Sequence, residues 1–291
     1  MSTQSTARRL RNALADGELI VAPGVFDGLS AALVSRLGFT AGYLTGAAVA
    51  ASGFGLPDIG LTTQTELAER ARVLAGVLGD VPLIADADTG FGNQLHAIRT
   101  VRQYEAAGVA AIQLEDQAFP KKCGHLPDKE LISTRDFVAK LHAALDARTD
   151  PDLVVIARTD ARGPLGLDAA LDRANTYAEA GADVIFVEAP RDLDEIERIA
   201  KEVDAPTLIN LVQGGLTPIE STPRLAELGF AIAIHPSLPL AAVAGAMAKA
   251  LGALADRDVS DLMPASPADF FDVVGLAEWT TLGQRYETSG R

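Results

Sequence analysis

The chain is short of basic charge: 25 Lys and Arg stand against 39 Asp and Glu, a formal net charge of −14 over 291 residues. That deficit argues against general nucleic-acid binding and against attraction to an anionic membrane surface, because both need a surplus of cations. Cysteine is nearly absent. Cys123 stands alone, so no internal disulfide exists, a disulfide scaffold is excluded, and a reducing, cytoplasmic setting is expected. Residues 1–11 lack the apolar core of a signal peptide, and none is expected. The most apolar stretch, 231–254, is interrupted by His235, by proline and glycine, and by Lys249. It reads as a buried strand followed by a core helix rather than as a membrane span. No Walker loop, dinucleotide fingerprint, nucleophile elbow or zinc-helix motif occurs. What is there is ordinary for a globular protein, 48% hydrophobic and 22% charged. The length suits one α/β barrel as well as two average domains.

Eight β-rich runs recur along the chain, at 19–22, 42–45, 82–85, 110–114, 153–157, 184–187, 207–209 and 231–234. Between them apolar residues fall at three- and four-residue spacing, as in 95–106, 167–180 and 193–203, which predicts helices. Gly38, Gly108, Gly181 and Gly229 suit the left-handed position that ends a helix, and a strand run follows each within a few residues. Continuous apolar strands alternating with amphipathic helices imply a parallel sheet covered by helices. Eight such units close into a (β/α)8 barrel, whereas doubly wound sheets usually have fewer strands. The whole chain, 1–291, is read as a single domain, with 255–291 a helical extension. In that extension 256–261 reads as a linker, and Pro264 and Pro267 precede a helical pattern over 268–286. Phe270, Phe271, Val274, Leu276 and Trp279 must be buried somewhere, and a neighbouring subunit is one solution.

Polar residues crowd the positions just after the strands: Thr45, Asp86 and Asp88, Glu115 and Asp116, Arg158 and Asp160, Glu188, Asn210 and His235. A barrel brings all of these to one rim, where barrel active sites lie. Loops are polar in any case, but so many carboxylates repel one another unless something binds between them. Asp86 and Asp88, two apart, project to the same side, and with Glu115 and Asp116 they form the ligand set of a hard cation such as Mg²⁺. Helix capping is the bland alternative, and Asn93 already fills that role. A second signal is Lys121-Lys122-Cys123-Gly124-His125, inside a long polar connection that reads as a lid. Its lysines and histidine are expected to lower the Cys123 pKa. Arg158 can clamp a carboxylate through two hydrogen bonds, and Glu188 can orient it or move a proton. The segments Asn210-Leu211-Val212-Gln213-Gly214-Gly215 and His235-Pro236-Ser237 leave a phosphorylated ligand open.

These residues, together with Tyr43-Leu44-Thr45-Gly46, Gly55-Leu56-Pro57-Asp58, Asp86-Ala87-Asp88-Thr89-Gly90-Phe91-Gly92, Glu115-Asp116-Gln117 and Ala157-Arg158-Thr159-Asp160, resemble the isocitrate lyase/phosphoenolpyruvate mutase superfamily over about 17–235. The Lys-Lys-Cys-Gly-His loop resembles that of the carbon–carbon bond-cleaving members: isocitrate, 2-methylisocitrate and 2,3-dimethylmalate lyases and oxaloacetate hydrolases. The resemblance implies a barrel, a Mg²⁺ or Mn²⁺ ion, a gating loop, and a homotetramer built as a dimer of helix-swapped dimers. It implies that Asp88 binds the metal most directly, with Asp58, Asp86 and Glu115 holding its waters. Arg158 and the backbone of Thr45, Gly46 and Ala47 fix the pyruvyl half of the substrate, with Gly124, His125 and Asn210 as further contacts. The resemblance further implies that Cys123 delivers a proton to the carbanion left by bond cleavage, with Tyr43 a candidate to remove the hydroxyl proton.

Two departures bear on the substrate. Methylisocitrate lyases carry an arginine soon after the eighth strand; here that segment runs His235-Pro236-Ser237-Leu238-Pro239-Leu240-Ala241. The residues after Asn210 resemble the dimethylmalate lyase branch. The expected substrate is therefore a 2-hydroxy dicarboxylate with alkyl groups seated on Leu238 to Ala241. The alternatives are 2-methylisocitrate lyase, oxaloacetate hydrolase, phosphorus chemistry of the mutase or phosphonate hydrolase kind, and a non-catalytic binding protein.

Overall fold

The computed structural model describes residues 4–259 and 266–287; Pro264 and the end of the expected linker lie outside them. Eight parallel strands form a closed barrel in chain order, the last pairing with the first. They are β1 (Ile20–Val25), β2 (Gly42–Leu44), β3 (Leu83–Asp86), β4 (Ala111–Glu115), β5 (Val154–Thr159), β6 (Val184–Val187), β7 (Thr207–Asn210) and β8 (Ile232–His235). Each expected run lies on one of them. The expected helices are also there, at Gln94–Ala106, Leu167–Glu179 and Leu193–Glu202. Gly38, Gly108, Gly181 and Gly229 all have φ between 77° and 98°.

Strand residues alternate between two cores. Ile84, Val154, Ile156, Val184, Phe186 and Leu208 fill the barrel. Ala85, Ile112, Leu114, Val155, Ile185 and Val187 pack outward under the helices. Both faces are covered, so the strands read as unbroken apolar runs. The helix Thr6–Asp16, which the periodicity did not single out, joins the inner core through Ala7 and Leu10. Its Arg11 donates to the Leu153 carbonyl and pairs with Asp183 at 2.9 Å.

Two expectations fail after β8. The helix Leu238–Ala255 is no core helix: none of its residues is buried. Its first turn instead flanks a 480 Å³ apolar cavity lined by Pro23, Phe26, Leu33, Leu238, Pro239 and Val243. The expected helix over 268–286 is two, Pro267–Asp272 and Leu276–Glu287, broken at Gly275 with φ 88°. Phe271 is 50% exposed and Trp279 70%.

Candidate active site

β3 ends at Asp86, and the chain then turns sharply. Asp88 has φ 47°, a left-handed conformation that costs a non-glycine residue about 1 kcal/mol. The turn is held from several sides. Asp86 Oδ1 accepts from Asp88 N at 3.0 Å, Glu115 N donates to the Asp88 carbonyl at 3.0 Å, and the Tyr104 hydroxyl donates to the Asp86 carbonyl at 3.2 Å. The other Asp86 oxygen accepts from Gly46 N at 3.2 Å. Gly46 thereby lies directly against Asp86 and Asp88.

The acidic side holds a cation of its own. Lys121 Nζ lies 2.5 Å from Asp58 and 2.8 Å from Asp88, and the side chain is 5% exposed. Burial works against its charge, but Asp88 and Asp58 outweigh that and hold it well above the ordinary lysine value. Burial also raises Asp88 to about 6, with Lys121 pulling the other way and Asp86 adding to the rise. Glu115 is likewise pushed well up by burial, against Arg158, and neither of its carboxylate oxygens accepts a hydrogen bond. A donor set of this kind fits a hard dication, and the ammonium group marks the place where positive charge is stable. Among the described residues no three such ligands converge closely enough to hold an ion directly. Asp116 does not join them. It accepts from Thr159, Tyr177 and Arg173 at 2.8–2.9 Å, in the layer between sheet and helices. Adjacent strand residues point to opposite faces, so Glu115 and Asp116 cannot share a site.

Across the cavity the charges are matched. Arg158 donates from Nε and Nη2 to the two oxygens of Asp160, at 2.9 and 3.0 Å. Its Nη1 lies 3.3 Å from Glu115 and its Nε 3.7 Å from Glu188. The guanidinium sits 5.1 Å from the Phe186 ring centroid, within cation–π range. Glu188, fully buried, accepts from Asn210 Nδ2 at 3.3 Å and lies 3.2 Å from His125 Nε2. Leu216 N donates to His125 Nδ1 at 3.1 Å, so the ring proton sits on Nε2, facing Glu188. Burial holds His125 below the ordinary histidine value. Tyr43 donates its hydroxyl to Gln113 Oε1 at 2.8 Å, and burial, then Asp86, raise its pKa well above 10. Its hydroxyl proton is thus held by Gln113.

The lid lies over this cavity. Cys123 N donates to the Asp58 carbonyl at 3.1 Å. The expected thiolate is not favoured: burial raises the Cys123 pKa above the ordinary 9.0. Lys121 is committed to Asp58 and Asp88, Lys122 reaches outward to the Asp128 carbonyl, and His125 is neutral. Gly124 must be glycine, since a Cβ there would come within 2.6 Å of Glu188 Cδ.

These side chains enclose a cavity of 100 Å³. Tyr43, Thr45, Ala47, Asp58, Asp86, Cys123, Gly124, His125, Arg158, Glu188 and Asn210 all line it, whereas Asp88 and Glu115 are not among its lining residues. Leu238 and Pro239 do not, since they face the outer cavity. The apolar wall is made instead by Val212, Ile234 and Pro236. Sequence reasoning missed Gln113, Lys129 and the ion-pairing of Lys121. Gln113 was findable, being a polar residue two before Glu115 on the same inward face of β4.

Fold and site define a (β/α)8 enzyme with a lid-borne cysteine over an acidic centre. The phosphoenolpyruvate phosphomutase family profile matches residues 10–255. The 2,3-dimethylmalate lyase of Eubacterium barkeri is 44% identical, over 98% of this chain and 99% of its own. The 2-methylisocitrate lyase of Aeropyrum pernix is 42% identical, over 93% of this chain and 87% of its own. The solved structure of an oxaloacetate acetylhydrolase in complex with the inhibitor 3,3-difluorooxalacetate superposes with a TM-score of 0.93, at 34% identity over 97% of both chains. The chain belongs to the phosphoenolpyruvate mutase/isocitrate lyase superfamily, and it is of the carbon–carbon lyase kind.

Proposed function

We propose that the protein cleaves the C2–C3 bond of a 2-alkyl- or 2,3-dialkylmalate, releasing a 2-oxo acid such as pyruvate and a carboxylate. The observation that carries this reading is the position of Cys123 in the lining of a cavity between an acidic cluster and Arg158, where burial pushes its thiol pKa up. Asp88 would hold Mg²⁺ or Mn²⁺ directly, with Asp58, Asp86 and Glu115 holding its waters. When bound, the ion supplies Lewis-acid stabilisation of negative charge on substrate oxygen. Arg158 receives a substrate carboxylate, and Thr45, Ala47 and Asn210 fix its position. Glu188 takes the hydroxyl proton. The C2–C3 electron pair passes to the carbon beside the second carboxylate, and Cys123 protonates that carbon. The proton on Glu188 then returns to the sulfur, so charge and atoms balance. A neutral thiol suits an acid better than the thiolate expected from the loop's lysines.

The alkyl groups rest on Val212, Ile234 and Pro236. A third carboxylate would meet no free cation there, and an unpaired buried charge costs several kcal/mol, so 2-methylisocitrate is disfavoured. The exposed helix Leu238–Ala255 is the one helix among the described residues long and apolar enough to cross a membrane. The family match runs to residue 255, so this helix is part of the enzyme unit, and we place it on the barrel of a second copy in a homotetramer. Cytoplasmic residence suits the lone thiol. The test is to incubate purified protein and Mg²⁺ with 2,3-dimethylmalate, other 2-alkylmalates, 2-methylisocitrate, isocitrate and oxaloacetate, following ketoacid release. Turnover of alkylmalates supports the reading; turnover of oxaloacetate alone overturns it.

A further inference from the structure

The connection from β4 to the next helix has no regular structure beyond one bridge between Gln117 and Leu131. Something other than secondary structure must seat Cys123. Before Cys123 the loop is tied by the Lys121 ion pairs to Asp58 and Asp88 and by two hydrogen bonds between Gln117 and Lys122; Cys123 N itself donates to the Asp58 carbonyl, and Leu216 N donates to His125. The tie that follows Cys123 most closely is also charged and buried. Lys129, 8% exposed, donates from Nζ to the Gly124 carbonyl at 2.6 Å and to Asp160 Oδ1 at 2.7 Å. Asp160 is the carboxylate that Arg158 grips with two hydrogen bonds. Burial opposes its charge, yet Arg158 and Lys129 together hold it at about 2. The peptide just after Cys123 is thereby fastened to the cation that faces the cavity. Gly124 lies against Arg158 and Glu188 with no room for a Cβ.

We infer that Lys129 is a positioning residue that seats Cys123 over the cavity by fastening the Gly124 carbonyl to the Asp160–Arg158 pair. The inference rests on the proposed acid role of Cys123 for its catalytic consequence, though not for its geometry. A charge-assisted bond to a carbonyl in a dry site is stronger than the neutral ties beside it. Its loss frees the Gly124 side of the loop, while Lys121 still ties the other side of Cys123 and the barrel stays folded.

Cys123 is the chain's only cysteine, so its alkylation by iodoacetamide reports the loop directly. Lys129→Met, assayed at one pH and well below its Tm, is expected to alkylate at least tenfold faster than the wild-type protein. It should also lose more in kcat than in KM, while Lys129→Arg recovers most of both. If Lys129→Met does not accumulate as folded protein, Lys129→Gln carries the same readout. Alkylation within twofold of wild type, with only a lower Tm, overturns the inference and leaves Lys129 a structural residue. Full turnover by Cys123→Ser would sink the acid role separately, since the alkylation result stands without any activity.

Discussion

The two sides of the cavity treat charge differently. On the β5–β7 side Arg158 and Lys129 balance Asp160 and Glu188, with short hydrogen bonds to Asp160, and Glu188 is also met by His125 and Asn210. On the β3–β4 side Asp88 and Asp58 share the one Lys121 ammonium, Glu115 lies 3.3 Å from Arg158 but accepts no hydrogen bond, and Asp88 is held at about 6. Pre-paired charge makes a rigid frame for a substrate carboxylate. Underpaired carboxylates in a dry place are stable only when a cation joins them. A carboxylate's role here thus follows from its partners, not from its place at a strand end.

Replacing Asp88 should break that contrast most severely. Asp88→Ala is expected to abolish Mn²⁺ binding, read by titration calorimetry, and to lower turnover by about 10³-fold or more through lost charge stabilisation. Removing the metal with excess chelator should do the same to the wild-type protein. Cys123→Ser comes next, with kcat reduced on the order of 10²–10⁴-fold and substrate affinity largely kept. The pH dependence has a definite sign. The acid must be protonated and burial raises its pKa above 9.0, so activity dependent on Cys123 should persist past pH 9 and fall as the thiol ionises. A fall near pH 7 would point to a different acid.

On the matched side Arg158→Lys keeps charge but loses the two-pronged grip, and KM should rise about tenfold or more. The smallest functional effect belongs to Asp116. Asp116→Asn weakens bonds from Thr159, Tyr177 and Arg173, which should lower stability by about 1–3 kcal/mol while leaving metal affinity unchanged. A changed metal affinity would return Asp116 to the acidic cluster.

The eight strands were legible because each is buried on both faces and reads as an apolar run between helices ending in glycine. The site was legible where a strand end alone decides direction, as at Asp86, Arg158, Glu188 and Asn210. It was not legible where partners decide. Asp116 looked equivalent to Glu115 until the alternation of β4 separated them. Lys121 and Lys122 looked like neighbours of the thiol, but each is drawn to a carboxylate or carbonyl elsewhere in the fold. The helix Leu238–Ala255 has the composition of a core element, yet none of its residues is buried, and composition alone does not reveal that. Leu238 and Pro239, adjacent to the eighth strand in sequence, face outward, and the cavity wall comes from Val212, Ile234 and Pro236.

The most direct test is turnover of 2,3-dimethylmalate with Mg²⁺ in D₂O, with products followed by NMR and 2-methylisocitrate run in parallel. Pyruvate and propanoate should form in equal amounts, with one solvent deuteron on C2 of the propanoate. The rate should vanish in Asp88→Ala and collapse in Cys123→Ser, and kcat/KM should exceed that for 2-methylisocitrate. A large preference for 2-methylisocitrate, or ketoacid release undiminished in Cys123→Ser, would contradict the assignment.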